Sequence, residues 1–358
     1  MGLADKLKEL EEELARTQKN KATEYHIGIL KSKIAKIKRE LNSPKKVGKR
    51  SSGFSIKKSG DATVALVGLP STGKSTLLNA LTGAKSKTAN YAFTTLKCIP
   101  GVMDHKGAKI QILDLPGIVE GAKDGVGRGK EVIAAAKAAD LILLVLDVFE
   151  PNFREKLIRE LYESGIRLDS SPPKISLEKR ASGGIQITSM QPNQEISKEL
   201  IVGILKEYSI FNAHIILHEK ISAESLIDFL DGTAVYIPSL TVINKVDLKF
   251  PEKEKINFDY IPISAQNGFG LDELKEKIFQ KLNLIRIYTK SKFNDMDNIP
   301  LMIKRGQRVE DVCKKIHKDL YKLFKYALVW GKSVKFPGQK VGLDHILEDG
   351  DIIQIVKK

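Results

Sequence analysis

Residues Gly68-Leu69-Pro70-Ser71-Thr72-Gly73-Lys74-Ser75 match GxxxxGK[ST], and their surroundings restrict the fold as much as the motif does. The octet follows the apolar run Ala62–Val67 and opens a segment, 75–81, with a helical pattern. A strand must therefore run into a tight glycine-rich loop and directly into a helix N-terminus. In that arrangement the backbone N–H groups of the loop and the first helical turn converge on phosphate oxygens. Lys74 then reaches the β- and γ-phosphates, and the Ser75 hydroxyl ligates Mg²⁺. A glycine-rich turn without a ligand is the competing reading, and the strand-loop-helix context weighs against it.

Further apolar runs at 109–113, 141–146 and 240–243 alternate with helical patterns at 129–139 and 154–163. Continuous apolar strands alternating with helices predict an α/β domain whose mostly parallel sheet is covered by helices on both faces. Three more motifs sit at strand ends. Asp114-Leu115-Pro116-Gly117 closes the strand at 109–113, where Asp114 can hold Mg²⁺ through water and the Gly117 N–H can sense the γ-phosphate. Asn244-Lys245-Val246-Asp247 follows 240–243, and Asp247 can accept from both N1–H and the 2-amino group of guanine, a donor pair adenine lacks. Ser264-Ala265-Gln266 follows the apolar segment 260–263 and places a backbone N–H for guanine O6. Each is weak alone. Together, in this order, they predict a site for GTP or GDP with Mg²⁺.

Between the first two motifs lies Tyr91-Ala92-Phe93-Thr94-Thr95, with a threonine to complete the Mg²⁺ shell. Thr94 and Thr95 are both candidates and Thr95 is favoured; a plain strand of β-branched residues is the alternative. Ile118 stands after Gly117, where signalling GTPases carry a water-orienting glutamine. Its side chain has neither donor nor acceptor, so intrinsic hydrolysis is expected to be slow. Gly121, Gly125, Gly127 and Gly129 make the following loop easy to reshape. Arg128 within it reads as a surface arginine rather than a charge-stabilising finger.

The remaining chain is too long for one domain. At roughly 150 residues per domain, 358 residues predict two or three. Leu3, Leu7, Leu10 and Leu14, then Ile27, Leu30, Ile34, Ile37 and Leu41, form two heptad-like stripes that predict a helical hairpin whose stripes bury each other. With the Lys/Ser/Gly-rich linker at 44–60 this makes a first segment, 1–60. The GTPase domain takes 61–167 and 239–284. The interval 168–238 exceeds any simple crossover and reads as an inserted α+β domain, with a strand at 185–188 and helices at 196–208 and 222–231. Residues 285–358 read as strand, strand, helix, strand, strand, with Val309, Val312, Cys313, Ile316, Leu320, Leu323 and Phe324 as one buried stripe of a helix at 309–324.

The net charge of +15 is concentrated at the ends. Residues 1–60 carry 16 Lys and Arg against 7 Asp and Glu, and residues 285–358 carry 16 against 9, while the middle is nearly neutral. Clustered cations are the footprint of phosphate-backbone contact, so RNA or the ribosome is the expected partner; simple solvation is the alternative. No run of about 18 apolar residues predicts a membrane span, and the charged N-terminus is unlike a secretion signal. Cys98 and Cys313 form no CxxC pair, which fits a reducing cytoplasm. His214 and His218 have a metal-compatible spacing but no third ligand nearby, and the ordinary structural reading is preferred.

The chain resembles the developmentally regulated GTP-binding protein (DRG) family, within the Obg-like branch of translation-associated GTPases. The resemblance runs along essentially the whole length and rests on Gly68–Thr76 (GLPSTGKST), YAFTTLKCIPG at 91–101, DLPGIVEGAKDGVGRGK at 114–130 and NKVD at 244–247. It implies a helix-turn-helix-like N-terminal region, an insertion resembling ribosomal-protein S5 domain 2, and a C-terminal TGS domain of β-grasp fold. It also implies a GTP hydrolase that acts in translation on ribosomes, often with a stabilising partner protein; the chain itself is expected to be a monomer. Related GTPases ligate K⁺ through a P-loop asparagine; Ser71 stands there in this chain, leaving potassium dependence open. Two other functions compete: an RNA-binding scaffold with a structural nucleotide, and a signalling GTPase unrelated to translation.

Overall fold

The computed structural model describes residues 2–42, 60–83, 100–115, 128–252, 254, 256–290 and 299–357. The chain opens with helices α1 (Leu3–Arg16) and α2 (Glu24–Asn42). Next come β1 (Ala62–Val67), α3 (Lys74–Thr82), β2 (Pro100–His105), β3 (Ala108–Asp114), α4 (Arg128–Lys137), β4 (Leu141–Asp147) and α5 (Phe153–Glu163). The long interval holds β5 (Ile166–Leu168), β6 (Ile175–Lys179), β7 (Ile185–Ser189), α6 (Lys198–Glu207), β8 (Ala213–Leu217), α7 (Ala223–Asp231) and β9 (Val235–Ile237). It is followed by β10 (Ser239–Asn244), β11 (Ile261–Pro262) and α8 (Leu271–Lys281). The C-terminal part consists of β12 (Leu284–Thr289), β13 (Leu301–Lys304), α9 (Val309–Ile316), α10 (Lys318–Lys322), β14 (Phe324–Trp330), β15 (Gln339–Val341) and β16 (Ile352–Lys357). These gather into two compact units, Met1–Ser52 with Gly165–Tyr236, and Gly53–Ser164 with Ile237–Lys358.

The second unit is built on a six-stranded sheet of order β11-β10-β4-β1-β3-β2, parallel throughout except for the β2–β3 hairpin. Every residue of β1 is buried, as are Leu141–Leu146 of β4, which is what continuous apolar runs require when helices cover both faces. Leu66, Leu77, Leu143, Ile110 and Ile278 anchor the core on one side. Each such side chain contributes ~1.5–3 kcal/mol on leaving water. The parallel order brings the C-terminal ends of β1, β3, β4 and β10 to one edge, where the phosphate loop, Asp114 and the Asn244–Asp247 segment lie.

The C-terminal five-stranded sheet has order β13-β12-β16-β14-β15, with β12 and β16 parallel and the other pairs antiparallel. It does not stand apart from the GTPase domain. Leu284 and Met302 join the GTPase core, and Lys304 and Lys315 reach Asp140 and Asp61 at 3.1 and 3.0 Å. The single helix expected over 309–324 is broken at His317, whose backbone is extended and whose ring caps α10 by accepting from the Asp319 N–H. Its stripe is therefore core only through Val309, Val312 and Cys313, with Leu320 and Phe324 half-buried; Ile316 and Leu323 are 41% and 48% exposed. Burial pushes the Cys313 thiol up to about 11, leaving it an unreactive core group. The short β15 was not anticipated.

In the first unit the hairpin stripes do not simply bury each other. Helix α1 has no buried residue, whereas α2 buries Ile27, Leu30, Ile34 and Ile37 and also the small residues Gly28 and Ser32. The second buried face of α2 packs on α6 and α7 of the insertion. A Cβ on Gly28 would lie 2.6 Å from a methyl of Leu200, and one on Gly203 2.8 Å from Ile29 Cδ1. The hairpin and the insertion therefore share one body. Beneath the helices lies the sheet β6-β8-β7, in which β6 and β8 were not foreseen. His214 and His218 sit on or just after β8 and bond Thr188 and Ser176 hydroxyls, and no metal-binding cluster exists among the described residues.

Candidate nucleotide site

The loop between β1 and α3 needs glycine at both ends for reasons visible in its neighbours. A Cβ on Gly68 would stand 2.2 Å from the Val145 carbonyl oxygen of β4. Gly73 has φ +85°, and a Cβ there would meet Asn244 Nδ2 at 2.4 Å. Ser71 also takes a left-handed conformation, at φ 65°. Thr72 Oγ1 donates to the Leu69 carbonyl at 2.9 Å and pins the turn. Lys74, 8% exposed, folds back over the loop and donates to the Gly68 and Leu69 carbonyls at 3.0 and 2.7 Å. Pro70, Ser75 and Thr76 are exposed on the same loop and first turn.

Asp114 ends β3 directly beside β1, in register with Leu66. Its Oδ2 accepts from the Ser75 hydroxyl at 2.6 Å, while its buried Oδ1 has no partner among the described residues. A buried carboxylate oxygen with no donor is costly unless a cation or its water supplies one. Leu115, buried, follows. Phe93, Thr94, Thr95, Pro116, Gly117, Ile118, Gly121, Gly125 and Gly127 lie outside the described residues. Arg128 begins α4.

Asn244 ties three motifs together. Its Nδ2 donates to the Thr72 carbonyl at 2.9 Å, and its Oδ1 accepts from the Ala265 N–H at 3.0 Å. Ser264 is buried and closes a tight turn with the Gly268 and Phe269 backbone, leaving Gln266 exposed. Asp247 projects an exposed carboxylate one turn beyond. Lys245 holds φ 68°, uncommon for a residue with a side chain.

Sequence reasoning missed what fixes Lys245. Its Nζ lies 2.5 Å from Asp147 Oδ2, and Asp147 Oδ1 accepts from the Phe149 N–H at 3.0 Å. Asp147 is the register partner of Asn244 across β4 and β10, a position that reads in sequence only as the end of an apolar strand. Asp147→Asn keeps an acceptor for Phe149 and removes the charge facing Lys245. It is expected to weaken this tie by ~1.5 kcal/mol and to speed GDP dissociation roughly tenfold, read by stopped-flow release of a fluorescent GDP analogue. Unchanged release would remove Asp147 from the binding machinery.

A parallel sheet with a phosphate loop, a strand-end aspartate and an Asn-Lys-x-Asp loop gathered at one edge defines a P-loop GTPase, here with a TGS domain behind it. The family described as 50S ribosome-binding GTPase matches residues 63–179, its C-terminal extension matches 182–284, and the TGS domain matches 285–357. Developmentally-regulated GTP-binding protein 1 of Xenopus laevis is 50% identical over 365 residues, covering 100% of both chains. Developmentally-regulated GTP-binding protein 2 homolog of Dictyostelium discoideum is 47% identical over 364 residues, again covering 100% of both. The chain belongs to the developmentally regulated GTP-binding protein family. Among solved structures, the YchF GTPase of Schizosaccharomyces pombe overlaps 84% of this chain and 99% of its own, with TM-score 0.44 and 16% identity.

Proposed function

We propose that this GTP-binding protein is a Mg²⁺-dependent, slow GTPase that acts on the ribosome in the cytoplasm. The observation that carries the cation is the buried Asp114 Oδ1, which has no partner among the described residues, beside the Ser75 hydroxyl, a hard-oxygen pair facing the phosphate loop. Bound there, Mg²⁺ would neutralise charge on the β- and γ-phosphates. Lys74 exchanges the Gly68 and Leu69 carbonyls for phosphate oxygens, and the loop N–H groups hold the transferring group in place. Asp247 reads the guanine edge while Asn244 holds that loop against the phosphate loop. Ile118 offers no group to orient water, so turnover waits for help from outside the site, from K⁺ or the ribosome. The ribosomal assignment draws on the basic ends and on the family's description as ribosome-binding. No helix among the described residues is long and apolar enough to cross a membrane.

The test is GTP hydrolysis by the purified protein in K⁺ or Na⁺, with and without ribosomes, against Ser75→Ala. Ribosome-stimulated turnover that Ser75→Ala loses supports the reading. GTP binding with no turnover under any condition would leave a scaffold with a structural nucleotide.

A further inference from the structure

Strands β2 and β3 form a hairpin with one end at the nucleotide site and the other against the C-terminal domain. The first end pairs Pro100 with Leu113, and Asp114 follows. By sequence, Thr95 stands five residues before Pro100 and Gly117 three after Asp114. Both motifs assigned to the γ-phosphate and its cation are therefore direct continuations of this hairpin. The seven residues of β3 span about 20 Å between Asp114 and Ala108.

The turn at the far end is clasped from two sides. Lys106 and Gly107 hold φ of 50° and 84°, the positive pair that a two-residue turn between right-twisted strands requires. From α8, the Glu276 carboxylate meets His105 Nε2 at 3.1 Å and Lys106 Nζ at 2.8 Å. Hydrogen bonds from Lys106, His105 and Gln280 hold the Glu276 carboxyl down at about 2, so it stays ionised. The Phe279 ring lies edge-on to His105, with centres 5.9 Å apart, and 5.7 Å from Lys106 Nζ. The C-terminal domain closes the other side: a Cβ on Gly107 would stand 2.9 Å from Pro300 Cγ and 3.4 Å from Met302 Cε. Between its ends β2 rests on α3, the helix that opens with Lys74 and Ser75. A Cβ on Gly101 would meet Thr82 Cγ2 at 2.5 Å and Leu78 Cδ1 at 3.0 Å.

As an edge strand, β2 is bonded to β3 alone, so it gives up one ladder and not two when it shifts. A hairpin held at both ends acts as a lever. A nucleotide that moves the first end works against the clasp, and by linkage the clasp biases which nucleotide binds. We propose that the β2–β3 hairpin is a relay through which the nucleotide site and the TGS domain bias one another, with Glu276 and Pro300 positioning its turn. The proposal rests on the GTPase reading above and deepens it, naming the element that carries the nucleotide state to the C-terminal domain.

The full-length protein is compared with Glu276→Gln, Pro300→Ala and their combination. Competition against a fluorescent GDP analogue gives dissociation constants for GDP and for a non-hydrolysable GTP analogue. Hydrogen exchange of residues 103–108 and 301–304 is followed with each nucleotide bound. In the unaltered protein these amides should exchange at different rates in the two nucleotide states. The combined variant should change the ratio of GDP to GTP-analogue affinity about tenfold, inside the roughly 5–150-fold range of ordinary coupling, and bring the two exchange rates together. Lys304→Ala cuts the tie to Asp140 but leaves the turn alone, and should keep the ratio. Equal weakening of both nucleotides, or equal exchange in both states, would make the clasp a structural staple and overturn the proposal. A ratio that moves as far in Lys304→Ala would take the route away from the hairpin and overturn it too. If ribosomes stimulate turnover while exchange is blind to the nucleotide, the relay falls alone. If there is neither turnover nor nucleotide-dependent exchange, the GTPase reading falls with it.

Discussion

Asn244→Ala is expected to accelerate GDP release about a hundredfold. The side chain is 2% exposed and bridges two backbone groups from different loops, the Thr72 carbonyl and the Ala265 N–H. Removing it strands both in a site with no room for full hydration. Each unsatisfied buried group costs about 1–3 kcal/mol, so a combined loss near 3 kcal/mol follows, and every 1.4 kcal/mol is tenfold in affinity. The Gly73 backbone, which approaches Asn244 too closely to admit a Cβ, would lose its backstop as well. Asn244→Asp should fare no better, because it keeps the acceptor for Ala265 but sets a carboxylate oxygen against the Thr72 carbonyl. Release of a fluorescent GDP analogue measures the effect. Nearly unchanged release in both variants would mean that the phosphate loop holds its shape without this bridge.

That bridge illustrates what a sequence can disclose. The asparagine, the phosphate loop and Ala265 were all legible, because their chemistry is tied to residue type and local context. Strands β1 and β4 were legible too, since six consecutive buried positions leave an unbroken apolar run. Asp147 was not legible, because its importance comes from Lys245, which lies 98 residues away. Strands β6 and β8 escaped for a different reason. Only every second residue faces the helices, and five-residue amphipathic segments such as Ile175–Lys179 carry little periodic signal. The cations of α2 read as a phosphate footprint, yet their acidic partners Glu207, Glu224 and Asp231 lie in the insertion, about 170 to 190 positions on. Positive charge counted along a chain overstates the charge left over after folding.

The same long-range packing sets the second large expectation, a double-mutant cycle between α2 and α6. Leu200 is 2% exposed, and both its methyls crowd the point where a Cβ of Gly28 would be, at 2.6 and 2.7 Å. Leu200→Ala removes buried volume and should destabilise the hairpin–insertion unit by about 3 kcal/mol. Gly28→Leu drives extra atoms into an occupied space and should cost about 1–3 kcal/mol, with up to ~1 kcal/mol returned because leucine favours the helix more than glycine does. Combined, the new leucine enters the volume the old one vacated. The pair should therefore cost less than the sum of the singles, with a coupling of about 1–2 kcal/mol. Hydrogen exchange of the α2, α6 and α7 amides reads the effect inside the unit where it arises. Strict additivity would mean that α2 does not rest on α6 in solution, and the two heptad stripes would bury only each other, as their spacing alone predicts.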